Sequence, residues 1–303
     1  MNEDPPGGRP AVPPFLMGLI DFILNLAGLL MWLSWRSVQY DPLSKRTPAT
    51  LIGTLRPAEP TRWRRWHLLA AIGGLLVARA VAYWLIGPSA HWTGRLEAGA
   101  TSVLIPIHGG YRDLITGVML YSFLSFGLAL GVVYLWLLFL SILAGPDPIH
   151  RLVRVQLGAV DRWPRWLKGL LPLLGTTLLW WPAAWLLRNV AAANQVATQA
   201  PPVTGLQHLE SALIVGLGGY LVWKYVIGGL LILHLLNTHI YFGKQPFWNY
   251  VNATGRTLLA PLRKIPLRAG KVDFAPVAGL ALTFLAAELW QRGLVWLHGR
   301  LPG

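Results

Sequence analysis

Six long apolar runs constrain the fold of this chain more than any other feature of its sequence. About 20 apolar residues in a helix suffice to cross the hydrocarbon core of a bilayer. Backbone polar groups in lipid must be hydrogen-bonded within their own segment, so we expect each run to form a helix. The sequence therefore predicts an all-α polytopic membrane protein with six transmembrane helices. The runs span residues 15–35, 68–86, 114–144, 170–187, 212–241 and 277–295.

The composition points to the same class of protein. Hydrophobic residues make up 54% of the chain and charged residues 13%, whereas soluble domains carry about 25% charged residues. The net charge of +14 is assigned to basic membrane loops rather than to nucleic-acid binding, because no compact soluble segment remains to bind one. The chain has no cysteine, which excludes thiol redox chemistry, thiolate metal sites and thioether attachment of haem.

The charges of the connecting loops predict the orientation. Loops 36–66, 145–168 and 244–273 are basic, whereas loops 87–113 and 188–211 are close to neutral. Basic loops remain on the cytoplasmic side of a membrane, so we expect a multi-pass protein of the cell inner (plasma) membrane with both termini outside the cytoplasm. Residues 1–14 lack the basic start of a cleaved signal and are predicted to form a disordered tail.

The three basic loops follow a common plan, which predicts a threefold internal repeat. An Asp-Pro or Gln-Pro pair is followed by a short amphipathic segment, a stretch with Pro, Arg and Trp, and a returning helix. The amphipathic segments at 149–157 and 247–258 should lie in the membrane interface, with tryptophans at the depth of the headgroups. These tryptophans are Trp63, Trp66, Trp163, Trp166 and Trp248. The repeats are assigned to 15–87, 114–188 and 211–296, with outer loops at 88–113 and 189–210 and a tail at 297–303.

The last basic loop carries the most distinctive motif of the chain. It reads Pro-Leu-Arg-Lys-Ile-Pro at 261–266 and Val-Asp-Phe-Ala-Pro-Val at 272–277. Basic residues directly before an apolar run mark the cytoplasmic end of a helix, which Asp273 or Ala275 can cap and whose first turn tolerates Pro276. We expect its basic residues first of all to set the topology, and we predict in addition that this stretch binds anionic lipid headgroups or a protein partner. The residues assigned to that role are Pro261, Arg263, Lys264, Pro266, Arg268, Asp273 and Pro276.

The two halves of this motif resemble the signature of the YggT family of small integral membrane proteins, and the resemblance covers residues 212–295. Members commonly contain two such units, so a third unit is a departure from the family. The resemblance implies a non-enzymatic scaffold or assembly factor, since bacterial and plastid relatives are linked to cell division or nucleoid organisation, to cytochrome maturation and to osmotic stress. The partners expected on this basis are the lipid bilayer, other membrane proteins or a second copy of the chain, and no nucleic acid.

Among the ionisable residues inside the apolar runs, four are candidates for intramembrane charges, namely Asp21, Arg79, Lys224 and Glu288. Such residues face a partner charge, a protein interior or a water-filled cavity. Lys224 is the most central, with Asp21 and Glu288 as its possible partners, whereas Arg79 and Glu288 are close enough to an interface to extend towards it. The alternative function is therefore an ion or solute transporter linked to osmotic stress, with Lys224 in the pathway.

Two histidines, His234 and His239, lie near the end of the fifth run. Their spacing of five prevents both from facing one metal ion on a regular helix, so we expect ordinary polar residues at a helix end. Either one alone could ligate haem, as the link of one plastid relative to haem attachment on a b-type cytochrome implies. We predict no metal site, no cofactor and no enzymatic activity, since motifs for nucleotide binding, triad or paired-carboxylate catalysis are missing.

Three structural features should separate these functions. A transporter requires a polar cavity that reaches the middle of the membrane near Lys224. A scaffold requires an exposed surface at 257–276, and haem handling requires a pocket beside His234 or His239. Several glycines are expected either to allow close approach of helices or to act as hinges, namely Gly73, Gly74, Gly216, Gly218 and Gly219.

Overall fold

The structure is a computed structural model that describes residues 14–40, 65–86, 94–98, 101–105, 111–143, 148–193, 205–240, 246–265, 267–269 and 272–300. Most of these residues are helical. The predicted N-terminal tail at 1–14 lies almost entirely outside the described residues, as does most of the first basic loop. The α-helices are α1 Pro14–Tyr40, α2 Arg65–Ile86, α3 Tyr111–Leu143, α4 Pro148–Leu157, α5 Arg165–Ala193, α6 Gly205–Gly218, α7 Trp223–His239, α8 Pro246–Leu258 and α9 Ala275–Arg300.

Two small β-hairpins accompany the helices. Strands β1 Gly94–Ala98 and β2 Thr101–Ile105 pair with each other, and they occupy the outer loop 88–113, for which no strand was predicted. The β-branched residues at alternate positions of β2 favour an extended backbone there. Strands β3 Arg268–Ala269 and β4 Val272–Asp273 form a short antiparallel pair inside the signature motif.

Four helical segments are long and apolar enough to cross a membrane, by length and composition: Gly18–Arg36, Trp66–Leu85, Gly117–Leu143 and Leu209–Thr238. They coincide with the first, second, third and fifth predicted spans, so the assignment to a helical membrane protein is confirmed. The fourth and sixth predicted runs form α5 and α9, which are outside this set of four. Pro172 and Pro182 lie within α5.

The chain divides into two compact units. One comprises residues 1–94 and 107–130, and the other comprises 95–106 and 131–303. In the first unit, Ile72, Leu76 and Phe126 form the buried core, against which side chains of α1 pack. Gly28 of α1 lies directly against Phe126, because a Cβ atom at this glycine would be 2.8 Å from the Phe126 ring.

The second unit is held together by two neighbouring cores. Leu230 of α7 packs with Tyr250 and Val251 of α8, and Leu231 packs with Leu259 and Ala275. These contacts join α7, α8 and the start of α9 around the signature motif.

Close helix packing in this unit uses part of the predicted glycine set. Gly219 lies against α5, since a Cβ atom there would be 3.2 Å from Thr176 Cγ2, and Gly216 packs against Leu173 and Thr177 of the same helix. In contrast, a Cβ atom at Gly73 or Gly74 would meet no atom within 4 Å. The prediction of close approach was therefore wrong for this pair.

The same order of elements occurs twice in the second unit. The middle module consists of residues 131–143 of α3, the amphipathic helix α4, a 3-10 helix at Gly158–Arg162 and α5. The last module consists of α7, the amphipathic helix α8, a 3-10 helix at Ala260–Lys264, the β3–β4 hairpin and α9. Helices α4 and α8 occupy the predicted interfacial segments. Trp66, Trp163 and Trp166 are exposed and Trp248 is half-buried, while Trp63 lies outside the described residues.

The fifth predicted span is interrupted at its middle. A 3-10 helix at Gly219–Val222 separates α6 from α7, where the sequence predicted one continuous run. Indole N–H groups compensate for the irregular backbone: Trp136 Nε1 donates to the Val222 carbonyl and Trp290 Nε1 to the Leu217 carbonyl, each at 3.1 Å. Trp223 Nε1 in turn donates to the Leu135 carbonyl at 3.1 Å. The interruption is therefore a bonded feature of the fold, as expected for an irregular turn inside a membrane helix.

Candidate functional site

A buried ion pair lies inside the first unit. Arg79 of α2 is 1% exposed, and its Nη2 atom is 3.2 Å from Asp21 Oδ1 of α1. Its Nη1 atom donates to Asn25 Oδ1 at 2.6 Å, whereas Nε and Nη2 make no aligned hydrogen bond to the described residues. An isolated charge at this depth is costly, so the pair explains how both ionised groups can occupy the helix interior.

Two tyrosines and a serine complete the coordination of Asp21. Tyr83 of α2 donates to Oδ1 at 2.6 Å, and Tyr121 of α3 donates to Oδ2 at 2.9 Å. Ser125 of α3 is 3.5 Å from Oδ2 and accepts a bond from Asn25 Nδ2 at 3.2 Å. The network joins α1, α2 and α3, and it fixes their relative rotation because each helix contributes two polar side chains.

This network corrects two predictions. Asp21 was considered as a partner of Lys224, but it pairs with Arg79. Arg79 was expected to extend towards an interface, but it is buried. The sequence did contain a signal for it: Asp21 and Asn25, Arg79 and Tyr83, and Tyr121 and Ser125 are pairs spaced by four residues. Residues at this spacing share one helix face, so each of three apolar helices carries one polar stripe.

The other two intramembrane charges lie in the second unit. Glu288 accepts a hydrogen bond from Arg292 Nε at 2.8 Å on the exposed face of α9, so it too was wrongly considered as a partner of Lys224. Lys224 is half-buried, with its Nζ atom 5.1 Å from the centre of the Tyr225 ring. It borders a groove of about 490 Å³ between α7 and α9 that is lined mainly by apolar side chains, including Ile227, Leu282 and Trp290.

The middle module contains a closed polar cluster. Lys168 at the start of α5 donates to Ser141 Oγ of α3 at 2.7 Å and to the Asp161 carbonyl at 2.6 Å. Its Nζ atom is 3.6 Å from Asp161 Oδ1, and Arg154 of α4 donates to Oδ2 at 3.2 Å. Ser141 also donates to Oδ1. The cluster thus satisfies its own charges and ties α3, α4 and α5 together.

At the corresponding place, the last module contains a cavity of about 880 Å³, which we call the signature cavity. The end of α7, the face of α8, the 3-10 helix and the start of α9 form its walls. Its rim residues Arg256, Ile265 and Asp273 are exposed, so the cavity is accessible from outside the protein. Its described lining is His234, Asn237, Thr238, Asn252, Arg256, Leu259, Leu262, Ile265, Leu267, Asp273 and Ala275.

His234 is held rigidly in the wall of the signature cavity. Its Nδ1 atom is 2.9 Å from Asn252 Oδ1, and a Cβ atom at Gly255 would lie 2.6 Å from its Cγ atom. The imidazole therefore packs flat against the glycine backbone of α8. With Nδ1 as the donor to the amide oxygen, Nε2 is the ring nitrogen that can accept a bond from a ligand.

The signature residues contribute to this site in different ways. Asp273 Oδ1 accepts a hydrogen bond from the Ala275 backbone N–H at 3.0 Å, as predicted for the cap of this helix. Pro276 is buried in the first turn of α9, and Pro261 is exposed. For Arg263, Lys264 and Arg268 the structure describes only the backbone, and Pro266 lies outside the described residues.

Two observations bear on the hypothesis that His234 or His239 binds haem. The signature cavity lies beside His234, where a pocket was expected, whereas the side chain of His239 is outside the described part of the chain. Among the described residues, no group of three or more His, Asp or Glu side chains could hold a metal ion.

Comparison of the chain with protein-family models, with curated proteins and with solved structures finds no match. The function is accordingly inferred from the geometry described above.

Proposed function

We propose that this protein is a six-span protein of the cell inner membrane, similar in type to the YggT family, that acts without catalysis as a scaffold or assembly factor. The processes that it would serve are organisation of the cell envelope and division or maturation of cytochromes. The observation that carries the proposal is the set of exposed residues described within the signature stretch 257–276, together with the signature cavity beside them. Both lie at the end of the protein that the basic loops assign to the cytoplasm.

The dimensions of α5 and α9 support six spans. Helix α5 has 29 residues and α9 has 26, so each exceeds the hydrocarbon core of about 30 Å at about 1.5 Å per residue. Six crossings place all three basic loops on one side. Because the chain has no cysteine, single cysteines can be introduced into each loop and labelled with a membrane-impermeant maleimide. Labelling of the basic loops from outside intact cells would contradict this orientation.

The exposure of the signature stretch supports contact with a partner. Ile265 is 53% exposed and Phe274 is 45% exposed, and Thr257, Ala260 and Pro261 are exposed as well. Apolar side chains grouped at the rim of a cavity, beside basic residues, are typical of surfaces that bind other proteins.

Site-specific photo-crosslinking tests the scaffold proposal. A photoreactive amino acid at Phe274 or Ile265 should give a discrete protein adduct in native membranes. The same amino acid at Leu178, an exposed residue in the middle of α5, serves as the control and should give lipid adducts. Identical adduct patterns at all three positions would show that the signature stretch faces only lipid, and the scaffold proposal would then be abandoned.

A transporter is the second candidate, and the interruption of the fifth span favours it. Lys224 is the second residue after the 3-10 segment Gly219–Val222, as expected for a broken helix at a substrate site. The 490 Å³ groove that it borders is lined mainly by apolar side chains, which does not match the polar cavity expected of a transporter. Ion flux and survival of osmotic shock should be measured in depleted cells complemented with wild type, Lys224→Leu or the surface control Arg292→Leu. If Lys224→Leu alone fails to restore ion flux and survival, transport is favoured. If all three proteins complement equally, the scaffold function is favoured.

A further inference from the structure

We propose that the signature cavity binds the headgroup of an amine-bearing phospholipid, with Arg256 contacting the phosphate and Asp273 contacting the amine. The inference rests on the membrane placement given under the proposed function, because it requires that this end of the protein lies at the level of the headgroups. It adds a ligand of defined chemistry to the surface on which the scaffold would assemble its partner.

The charges of the cavity wall match a zwitterion. Among the described lining residues, Arg256 is the only permanent cation and Asp273 is the only carboxylate. They lie on different elements, α8 and the end of the β3–β4 hairpin, and they are not ion-paired with each other in the described part of the structure. A headgroup that carries a phosphodiester and a primary ammonium would satisfy both charges at once.

The neutral polar groups of the wall are already oriented for such a ligand. The Asn252 amide oxygen is occupied by His234 Nδ1 at 2.9 Å, so the Asn252 amide nitrogen is the group that remains to donate to a phosphate oxygen. His234 Nε2 can then accept a bond from the ammonium or from the glycerol region. Gly255 holds the imidazole in this position, since its missing side chain leaves room for the ring.

The apolar part of the wall favours a lipid over a soluble molecule with the same headgroup. Leu259, Leu262, Ile265 and Leu267 also line the cavity. The volume of about 880 Å³ is within the range of about 300–1,000 Å³ that is common for small-molecule sites. It accommodates a headgroup with its glycerol, while the acyl chains would lie along the outside of the helices.

Native mass spectrometry of the purified full chain tests this proposal. The protein is delipidated in mild detergent and titrated with phosphatidylethanolamine, phosphatidylcholine and phosphatidylglycerol that carry identical acyl chains. We expect phosphatidylethanolamine to bind about tenfold tighter than phosphatidylcholine, because choline has no N–H group to donate to Asp273. Soluble glycerophosphoethanolamine should bind more weakly than the lipid, because it lacks the apolar contacts.

Charge-removing variants separate the two halves of the headgroup. Asp273→Asn retains a good helix cap and should abolish the preference for ethanolamine over choline. Arg256→Gln should weaken all three lipids by about tenfold, since it removes a charged donor to the phosphate. The matched controls Glu288→Gln and Arg292→Gln remove the same charges from the exposed face of α9. They should change neither the preference for ethanolamine over choline nor the affinity for the three lipids. The melting temperature of each variant is measured as well, so that a destabilised variant can be distinguished from one that has lost lipid binding.

Three results would overturn the proposal. They are equal binding of ethanolamine and choline lipids to the wild type, tighter binding of phosphatidylglycerol than of phosphatidylethanolamine, and binding of the soluble headgroup as tight as that of the lipid. Since the purified protein is tested alone, a failure here leaves the crosslinking experiment on the partner surface unaffected. Conversely, selective lipid binding with no partner adduct would retain the lipid site and remove the scaffold.

Discussion

The middle and the last module of the second unit have the same order of elements but treat their polar residues in opposite ways. In the middle module, Lys168, Asp161, Ser141 and Arg154 satisfy one another. In the last module, His234 and Asn252 are fixed by each other, while Arg256 and Asp273 remain at the rim of a cavity of about 880 Å³. One arrangement is suited to stabilise the fold, and the other is suited to bind something from outside.

The difference originates in where each module places its charges. Lys168 projects from the first turn of α5 into the space between α3, α4 and the 3-10 helix, and it is 6% exposed. The last module instead begins α9 with Ala275 and Pro276, which bring no charge into that space. The corresponding region is therefore left as a cavity. On the proposal made above, charges in the middle module stabilise the fold and those in the last module bind the headgroup.

The largest effect is expected for Lys168→Met. Removal of one partner from a buried ion pair leaves an uncompensated charge and costs about 3–5 kcal/mol, and Asp161 would keep the Ser141 hydroxyl but lose its buried cation, with the exposed Arg154 remaining beside it. Thermal unfolding in detergent should show a strongly lowered midpoint. Arg154→Gln is the control and should cost less than about 1 kcal/mol, because its side chain is 63% exposed. An unchanged midpoint for Lys168→Met would contradict the assignment of this cluster to stability.

A somewhat smaller loss is expected for Arg79→Leu in the first unit. Asp21 would lose its counter-ion inside the helices, at a cost of about 3 kcal/mol, near the lower end of the range for buried pairs because Asp21 is 22% exposed. The double variant Asp21→Leu, Arg79→Leu should recover part of this loss, since it leaves no unpaired charge. Unfolding followed by differential scanning fluorimetry measures both, and additive losses would argue against the pairing.

An intermediate effect is expected for Gly255→Ala in the last module. The added Cβ atom would lie 2.6 Å from His234 Cγ, so the ring must move out of the cavity wall, and overpacking of this kind costs about 1–3 kcal/mol. Lipid binding should fall together with stability. Gly229→Ala on α7 is a suitable control, because a Cβ atom there meets no atom within 4 Å. Equal behaviour of the two variants would show that the histidine is not held as described.

The smallest change in stability is expected for Arg256→Gln. An exposed side chain at a cavity rim contributes within about 0.5 kcal/mol, so the unfolding midpoint should be close to that of the wild type while lipid binding falls. A loss of stability comparable to that of Lys168→Met would remove the distinction between the two modules.

The sequence predicted the helices and amphipathic segments well because apolar runs and their periodicity act locally. The same holds for the cap at Asp273, which depends on a few adjacent residues. It did not predict which charges meet: Asp21 was considered for Lys224, although Arg79 lies on a helix 58 positions further along the chain. Such pairing depends on the rotation of three helices about their axes. The polar pairs spaced by four residues indicate which face of each helix turns inward, but only when the pairs on all three helices are considered together.

The signature cavity could not be predicted for a related reason. It is formed by the space between α7, α8 and α9, and no single segment of sequence reports an unfilled volume. The interruption at Gly219–Val222 was also missed, because the run from 212 to 241 contains no proline and its glycines were assigned equally to helix packing and to hinges. The bonds from Trp136 and Trp290 that compensate for the irregular carbonyls come from other helices.

The short 3-10 segment in the fifth span also has a consequence for how the protein can tolerate changes in length. An extra residue between Gly219 and Val222 enters a stretch whose backbone is already irregular, and α7 could keep its register with Trp136 and α8. An extra residue between Val226 and Leu231 would instead rotate everything beyond it by about 100°, which turns His234 away from Asn252. Insertions only a few positions apart should therefore differ in effect. The first should leave the signature cavity intact, whereas the second should disrupt it.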